Sequence, residues 1–177
     1  IDESETVERD ELTQRNFSVT SDTVSGFPVR AFEAKSALPA DSKGWYINLP
    51  ESGERIVQDA QVASGFLVTA SMVPTGAACD ADGTGYINAL SAFTGTSAGN
   101  SFFDLNNQNG TKDDTVGNDN LPVGSVNTGA GMPTLPNILR GLTIVGGTSV
   151  IGSSGGVGIG GGRPIWERVS WIEVRRN

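Results

Sequence analysis

The residues best suited to chemistry lie in one polar loop, which reads DLNNQNGTKDD from position 104 to position 114. Carboxylate and amide oxygens at alternate positions, followed by a glycine that permits a sharp bend, can wrap a hard cation such as calcium. The candidate calcium ligands are therefore Asp104, Asn106, Gln108, Asp113 and Asp114. The loop departs from EF-hand spacing because its glycine comes one position late and no Glu stands at position 12. An Asn/Asp-rich surface turn is the alternative interpretation. If calcium binds, the few full charges predict weak affinity.

Other candidate groups have simpler interpretations. Glu51 and Glu54 could form the carboxylate pair of a glycosidase, but they lie in a turn with nothing else converging on them, so exposed turn charges are expected. Residues 156–161 match G-x-G-x-x-G, but Arg163-Pro164 follows where a dinucleotide site needs a helix, which predicts a flexible glycine linker. The three tryptophans could form a sugar platform, although strand aromatics more often pack in cores or between blades.

Composition excludes several classes of function. The 177 residues carry a net charge of −8 and no histidine. The acidic charge argues against a nucleic-acid partner, and the missing histidine removes Ser-His-Asp and Cys-His catalysis. Cys79 has no partner cysteine in the chain, so it is a free thiol or pairs outside it. No apolar run is long enough for a membrane span. The composition suits an extracellular or periplasmic protein, and no enzymatic activity is expected.

Short alternating strands joined by polar turns dominate the chain. Strands are expected at 15–23, 45–49, 55–57, 61–62, 66–73 and 86–90, with an extended piece at 29–32, a hairpin around Gly146-Gly147 and a last strand within 165–176. Ser64-Gly65 has the composition of a tight hairpin turn. Residues 1–14 are expected to be frayed or to form a short helix, and residues 96–137 form a long loop-rich region. The fold class is therefore all-β and antiparallel, in one domain spanning residues 1–177.

Residues 44–95 show the pattern of a propeller blade. Three strand-like runs lead into the turn SAFTG, as in one blade of a quinoprotein-like β-propeller. A blade cannot bury both faces alone, so it needs neighbouring blades. We therefore expect the terminal blade or blades of a propeller with long Gly/Asn/Asp-rich loops, in a chain that is part of a larger protein.

Several motifs, taken in order, resemble one family. The segment GWYINLPESGERIV at 44–57 is similar to the GWY-x-x-LP-x-x-GER segment of PilY-type type IV pilus proteins. The residues TSD at 20–22, the loop cysteine at 79, YINALSAFTG at 86–95 and the closing SWIEVRR fit the same family. The chain thus resembles the C-terminal part of a PilY-type protein.

The resemblance implies a non-catalytic module of a pilus tip protein at the outer cell surface, exported through the periplasm. Its implied roles are pilus biogenesis, surface attachment and twitching motility. The implied partners are pilins or minor pilins, the rest of its own propeller, and a host or abiotic surface, with loops 96–137 and 74–85 as the contact surface. The family's calcium loop lies upstream, and no copy of it is found here. A fragment of a quinoprotein-like dehydrogenase and a calcium-stabilised structural domain are the alternatives.

Overall fold

A computed structural model describes residues 6–74, 83–106 and 114–134, together with the backbone of 137–139, 142–145 and 155–159. Several sequence-based predictions lie outside this part of the chain: those for Cys79, Gln108, Asp113, Gly146-Gly147, Arg163-Pro164, two of the three tryptophans (Trp166 and Trp171) and the last strand within 165–176.

The described residues form fifteen β-strands and one 3-10 turn, Arg9–Glu11. The strands are β1 Leu12–Arg15, β2 Phe17–Val24, β3 Phe27–Phe32, β4 Gly44–Ile47, β5 Arg55–Ile56, β6 Gln61–Ala63, β7 Phe66–Pro74, β8 Gly83–Ser91, β9 Phe103–Asp104, β10 Thr115–Val116, β11 Leu121–Pro122, β12 Ser125–Val126, β13 Asn137–Leu139, β14 Leu142–Val145 and β15 Gly155–Ile159. All of their pairings are antiparallel except that of β1 with β4. The predicted all-β, antiparallel class is confirmed.

The main sheet has seven strands in the order β2-β3-β12-β8-β7-β5, with β6 also paired to β7. Its centre is the hairpin of the nine-residue strands β7 and β8. The two-residue strand β12 lies between β3 and β8, so a segment distant in sequence joins these two strands into one sheet. A second sheet has the order β13-β14-β15-β9.

One face of the main sheet carries the hydrophobic core. Alternate residues of β3, β7 and β8 point to this face and are nearly inaccessible to solvent: Val29, Ala31, Phe66, Val68, Ala70, Ile87 and Ala89. Val126 of β12, which pairs with Val29 and Ile87, lies on the same face. Side chains from 101–106 and 114–123 cover this face: Phe102, Phe103, Leu105, Val116, Leu121 and Val123. The region 96–137 is irregular, as predicted, but much of it is core rather than free surface.

The opposite face is covered by residues 44–56, which we call the strap. The strap begins with β4, which pairs with β1 rather than with β5, and it returns to the sheet edge through β5. Residues 44–95 therefore do not make a blade by themselves, because their first strand belongs to a separate two-stranded sheet. That pairing depends on residues 12–15, outside the segment in which the blade pattern was found.

The structure confirms some local predictions and corrects others. Ser64 and Gly65 have φ values of 51° and 84°, as the predicted tight turn requires. The helix expected near the N-terminus is one 3-10 turn, after which β1 begins at Leu12. The glycine tract is not a linker over residues 155–159, because they pair with β14 and β9. The predicted partner of 139–145, residues 148–151, lies outside the described chain.

Gly95 is the point where the strap meets the end of the sheet. It has a φ of 70°, and a Cβ atom added to it would overlap the indole of Trp45. The indole also donates a hydrogen bond from Nε1 to the carbonyl oxygen of Ala92, at 3.2 Å. The close approach of ring and backbone requires glycine at position 95 and fixes the first strand of the strap on the SAFTG turn.

We expect Gly95→Ala to lower the free energy of unfolding by about 3 kcal/mol, since it combines left-handed backbone strain with overpacking against the indole. Gly26→Ala is the matched control, because Gly26 has a φ of 85° but open space around its Cα. That variant should lose only about 1 kcal/mol. Urea unfolding of both variants measures the difference, and equal losses would contradict the packing argument.

Candidate functional site

The GER end of the strap lies on a fully buried arginine of β3. The side chains of Arg30 and Glu54 are both 0% exposed. Arg30 Nη1 donates to both carboxylate oxygens of Glu54, at 2.9 and 3.0 Å, and Nη2 donates to Glu51 at 3.2 Å. The Glu51 side chain is 52% exposed. The buried guanidinium is thus neutralised by the buried carboxylate of Glu54, and the half-exposed carboxylate of Glu51 forms a second ion pair with it.

A chain of polar side chains extends this ion pair across the sheet. Ser71 donates to Glu54 at 2.6 Å, and Asn88 donates to Ser71 at 3.1 Å. Ser125 in turn donates to Asn88 at 2.6 Å. These residues lie on β7, β8 and β12, so the network joins the strap to the centre of the sheet. The buried side-chain atoms of Glu54, Ser71, Asn88 and Ser125 all have hydrogen-bond partners, which is the condition for such a network to stabilise a fold.

Aromatic rings complete the surroundings of Arg30. The centre of its guanidinium lies 3.4 Å from the centre of the Tyr86 ring and 5.9 Å from that of Phe17. Its Nε is buried and makes no hydrogen bond to any described residue. Stacking on an aromatic face is favourable for a weakly hydrated guanidinium. The Glu54 carboxylate and the Tyr86 ring therefore both hold the Arg30 guanidinium in place.

This arrangement corrects the interpretation of Glu54 as an exposed turn charge, whereas Glu51 is exposed as expected. Glu54 is buried and committed to Arg30 and Ser71. Oε2 of Glu54 also accepts a hydrogen bond from the backbone N–H of Glu51, at 3.2 Å. The turn looked isolated in the sequence because Arg30 lies 24 residues away. The two carboxylates therefore serve the fold and do not form a glycosidase pair.

Beside the ion pair, the strap and the sheet enclose an apolar groove with a cavity of about 70 Å³. Its walls come from β2, β3, β7 and β8 below and from the strap above: Phe17, Phe32, Trp45, Ile47, Leu49, Ile56, Leu67, Thr69, Asn88 and Leu90. Cavities that bind benzene have about 150 Å³, so this space is too small for a ring. Trp45, one of the three tryptophans, is partly buried and packs against the sheet, as predicted for strand aromatics.

The predicted calcium loop is described only at its two ends. Asp104 lies in β9, and Asn106 follows it. Asp114 is 1% exposed, and its Oδ2 accepts a hydrogen bond from the backbone N–H of Leu105, at 2.8 Å. The carboxylate of Asp114 thus joins the two ends of the loop. Within the described residues, no three His, Cys, Asp or Glu side chains come together as metal ligands.

The structure places these features in an all-β domain with known counterparts. The crystal structure of the Pseudomonas aeruginosa PilY1 C-terminal domain matches the chain with a TM-score of 0.60 at 18% sequence identity, over 89% of this chain and 33% of that one. The likeness confirms the predicted fold class, the terminal part of a β-propeller-type domain. Helices long and apolar enough to cross a membrane are absent from the described residues.

A curated protein gives the corresponding match in sequence. The Type IV pilus biogenesis factor PilY1 homolog of Xylella fastidiosa (strain Temecula1) is 30% identical over 164 residues, which cover 89% of this chain and 13% of the relative. No protein-family model matches the chain. Sequence and fold agree, so the predicted resemblance to a PilY-type C-terminal region is confirmed. The chain spans about an eighth of that curated relative and a third of that solved domain.

We expect Glu54→Gln to lower the free energy of unfolding by about 3 kcal/mol, because the substitution leaves the buried charge of Arg30 without its buried partner. Glu51→Gln is the matched control on the same arginine and should cost less than about 1 kcal/mol, since that side chain is half exposed. Urea denaturation measures both. Similar losses for the two variants would show that burial of Glu54 does not matter.

Proposed function

We propose that this chain is a non-catalytic module of a type IV pilus tip protein that acts in pilus biogenesis, surface attachment and twitching motility. The observation that carries the proposal is the agreement of sequence and fold with PilY1 proteins over 89% of the chain. The proposed location is extracellular, at the pilus tip or the outer cell surface. The proposed partners are pilins or minor pilins and the remaining part of a propeller, together with a host or abiotic surface.

A binding role rather than catalysis is supported by how the buried ionisable groups are used. Glu54 neutralises Arg30, Asp114 holds the backbone of Leu105, and Arg15 donates to Glu33 at 2.8 Å. Each of these groups already has a structural partner, whereas a general acid or base must face a reacting molecule. These groups therefore stabilise the fold, and we propose the loops as the surface that partners contact.

The segment 107–112, within the predicted contact surface, is the target of the test. Leu105, Asp114 and Val116 on either side of it are buried, so a wider deletion would remove core residues. Replacing residues 107–112 with an equally long Gly/Ser segment should leave the melting temperature within about 3 °C, since loop changes at constant length cost little. Piliation, attachment and twitching of the producing strain should fall severalfold.

The corresponding control replaces Ser25-Gly26, the β2–β3 turn, with Asn-Gly, which suits the same turn type. That strain should keep its piliation. Normal piliation, attachment and motility with the replaced 107–112 loop would remove this loop from the contact surface.

We also propose that calcium binds weakly to the predicted ligands Asp104, Asn106, Gln108, Asp113 and Asp114, the last of which also accepts the backbone hydrogen bond of Leu105. Calcium at ten times its dissociation constant should then stabilise the fold by about 1.4 kcal/mol. Asp104→Asn should abolish the shift in melting temperature, whereas Asp59→Asn, at an exposed position outside the loop, should keep it. A melting temperature that does not respond to millimolar calcium would exclude the site.

A further inference from the structure

The side chains that bind the carboxylate of Glu54 all belong to the main sheet. Arg30 of β3 donates to both of its oxygens, and Ser71 of β7 donates to one of them at 2.6 Å. Hydrogen bonds between a guanidinium and a carboxylate are assisted by charge and are among the strong ones in proteins. The sheet therefore presents a set of donors for one carboxylate without any side chain of the strap.

These donors are held in place by contacts that do not involve the strap. Asn88 donates to Ser71 at 3.1 Å and accepts from Ser125 at 2.6 Å. The centre of the Arg30 guanidinium lies 3.4 Å from the centre of the Tyr86 ring. Donors that are positioned before a ligand arrives lose little freedom when it binds. The sheet thus has the properties of a preformed site for a carboxylate.

The turn that carries Glu54 makes its backbone hydrogen bonds within itself. The N–H of Glu54 donates to the carbonyl oxygen of Glu51 at 3.1 Å, and the N–H of Glu51 donates to the Glu54 carboxylate at 3.2 Å. Considering only the described residues, 48–53 form no backbone hydrogen bond to the main sheet. The turn can therefore leave the sheet with its backbone hydrogen bonds intact.

The apolar contacts under the strap are incomplete. A cavity of about 70 Å³ lies between the strap and the sheet. Ile47 and Leu49, which line it, are only half buried, and Ile56 is 42% exposed. Segments with few buried contacts open at a lower free energy than the core of a domain. The buried ion pair of Glu54 is therefore the main contact that keeps residues 48–56 on the sheet.

We propose that Arg30 and Ser71, held by Asn88 and Tyr86, form a carboxylate-binding site in which Glu54 is a replaceable ligand, and that residues 48–56 can open while the sheet stays folded. The ligand class is a carboxylate because the buried charge of Arg30 needs an anion and the donors converge on one carboxylate position. Loss of Glu54 alone leaves that charge unpaired, which is strongly unfavourable. The strap therefore stays closed until another carboxylate replaces Glu54.

Acetate is the probe for the site, because Glu54→Ala removes a CH2–COO⁻ group and acetate supplies the same atoms. At neutral pH, about 200 mM sodium acetate should raise the melting temperature of the whole chain carrying Glu54→Ala by about 5 °C, since a ligand of the folded state stabilises it by mass action. Acetamide, the neutral analogue, and sodium chloride at equal concentrations should shift it by less than about 1 °C.

Two further variants control for the arginine. Glu51→Ala is the matched control, because it removes the half-exposed carboxylate but leaves Glu54 in the site, so acetate should not stabilise it. Arg30→Met combined with Glu54→Ala replaces the ion pair by apolar groups, which is often tolerated, and should not respond to acetate. If Glu54→Ala does not fold in buffer, recovery of its near-ultraviolet circular dichroism during the acetate titration is the measurement.

Trypsin measures the opening of the strap. Arg55 lies on the edge strand β5 and is exposed, whereas Arg30 lies within the sheet and is buried. Cleavage after Arg55 should be at least tenfold faster in Glu54→Ala than in the wild type, while cleavage after Arg30 should rise less. Acetate should slow cleavage after Arg30 but should not restore the wild-type rate after Arg55, because acetate fills the site without being joined to the strap.

Each half of the proposal has its own contrary result. A melting temperature of Glu54→Ala that responds equally to acetate, acetamide and chloride overturns the carboxylate site. Cleavage after Arg55 that is no faster in Glu54→Ala, or that rises only in step with cleavage after Arg30, shows that the strap does not open separately. Neither result bears on the pilus role, which the replacement of residues 107–112 tests.

Discussion

The fold depends on one buried charge. The positively charged Arg30 guanidinium is removed from water, so it needs a carboxylate at contact distance. Glu54 meets that need only if the chain returns to the sheet after β4. The need to neutralise Arg30 on β3 therefore determines the path of the strap. The same requirement explains why Ser71 and Asn88 interrupt otherwise apolar strands.

The two faces of the main sheet are stabilised in different ways. The core face is apolar and is covered by a segment with little regular structure, whose strands have only two residues each between β9 and β12. Hydrophobic burial is not directional, so it can hold such a segment without long strands. The strap face uses directional contacts instead: the ion pair at one end and the Trp45–Gly95 contact at the other. The groove between them is a consequence of fastening the strap mainly at its ends.

Local patterns in the sequence were enough to predict most strands and the all-β class. Alternation identified β7 and β8, and Ser64-Gly65 identified their neighbouring hairpin. Contacts between distant residues could not be predicted this way. The pairing of Glu54 with Arg30, of β4 with β1 and of β12 with β3 and β8 joins segments that no local pattern relates. Gly155–Ile159 was misread for the same reason, since glycine has no side chain to show a strand period.

The motifs that carry the family resemblance have mainly structural tasks. In GWY and GER, Trp45 fixes the SAFTG turn and Glu54 neutralises Arg30, while in YINALSAFTG, Asn88 joins two strands and Gly95 admits the indole. Such residues specify a fold. This agrees with the likeness in fold between this chain and the PilY1 C-terminal domain, which are only 18% identical in sequence. They say less about what the fold binds.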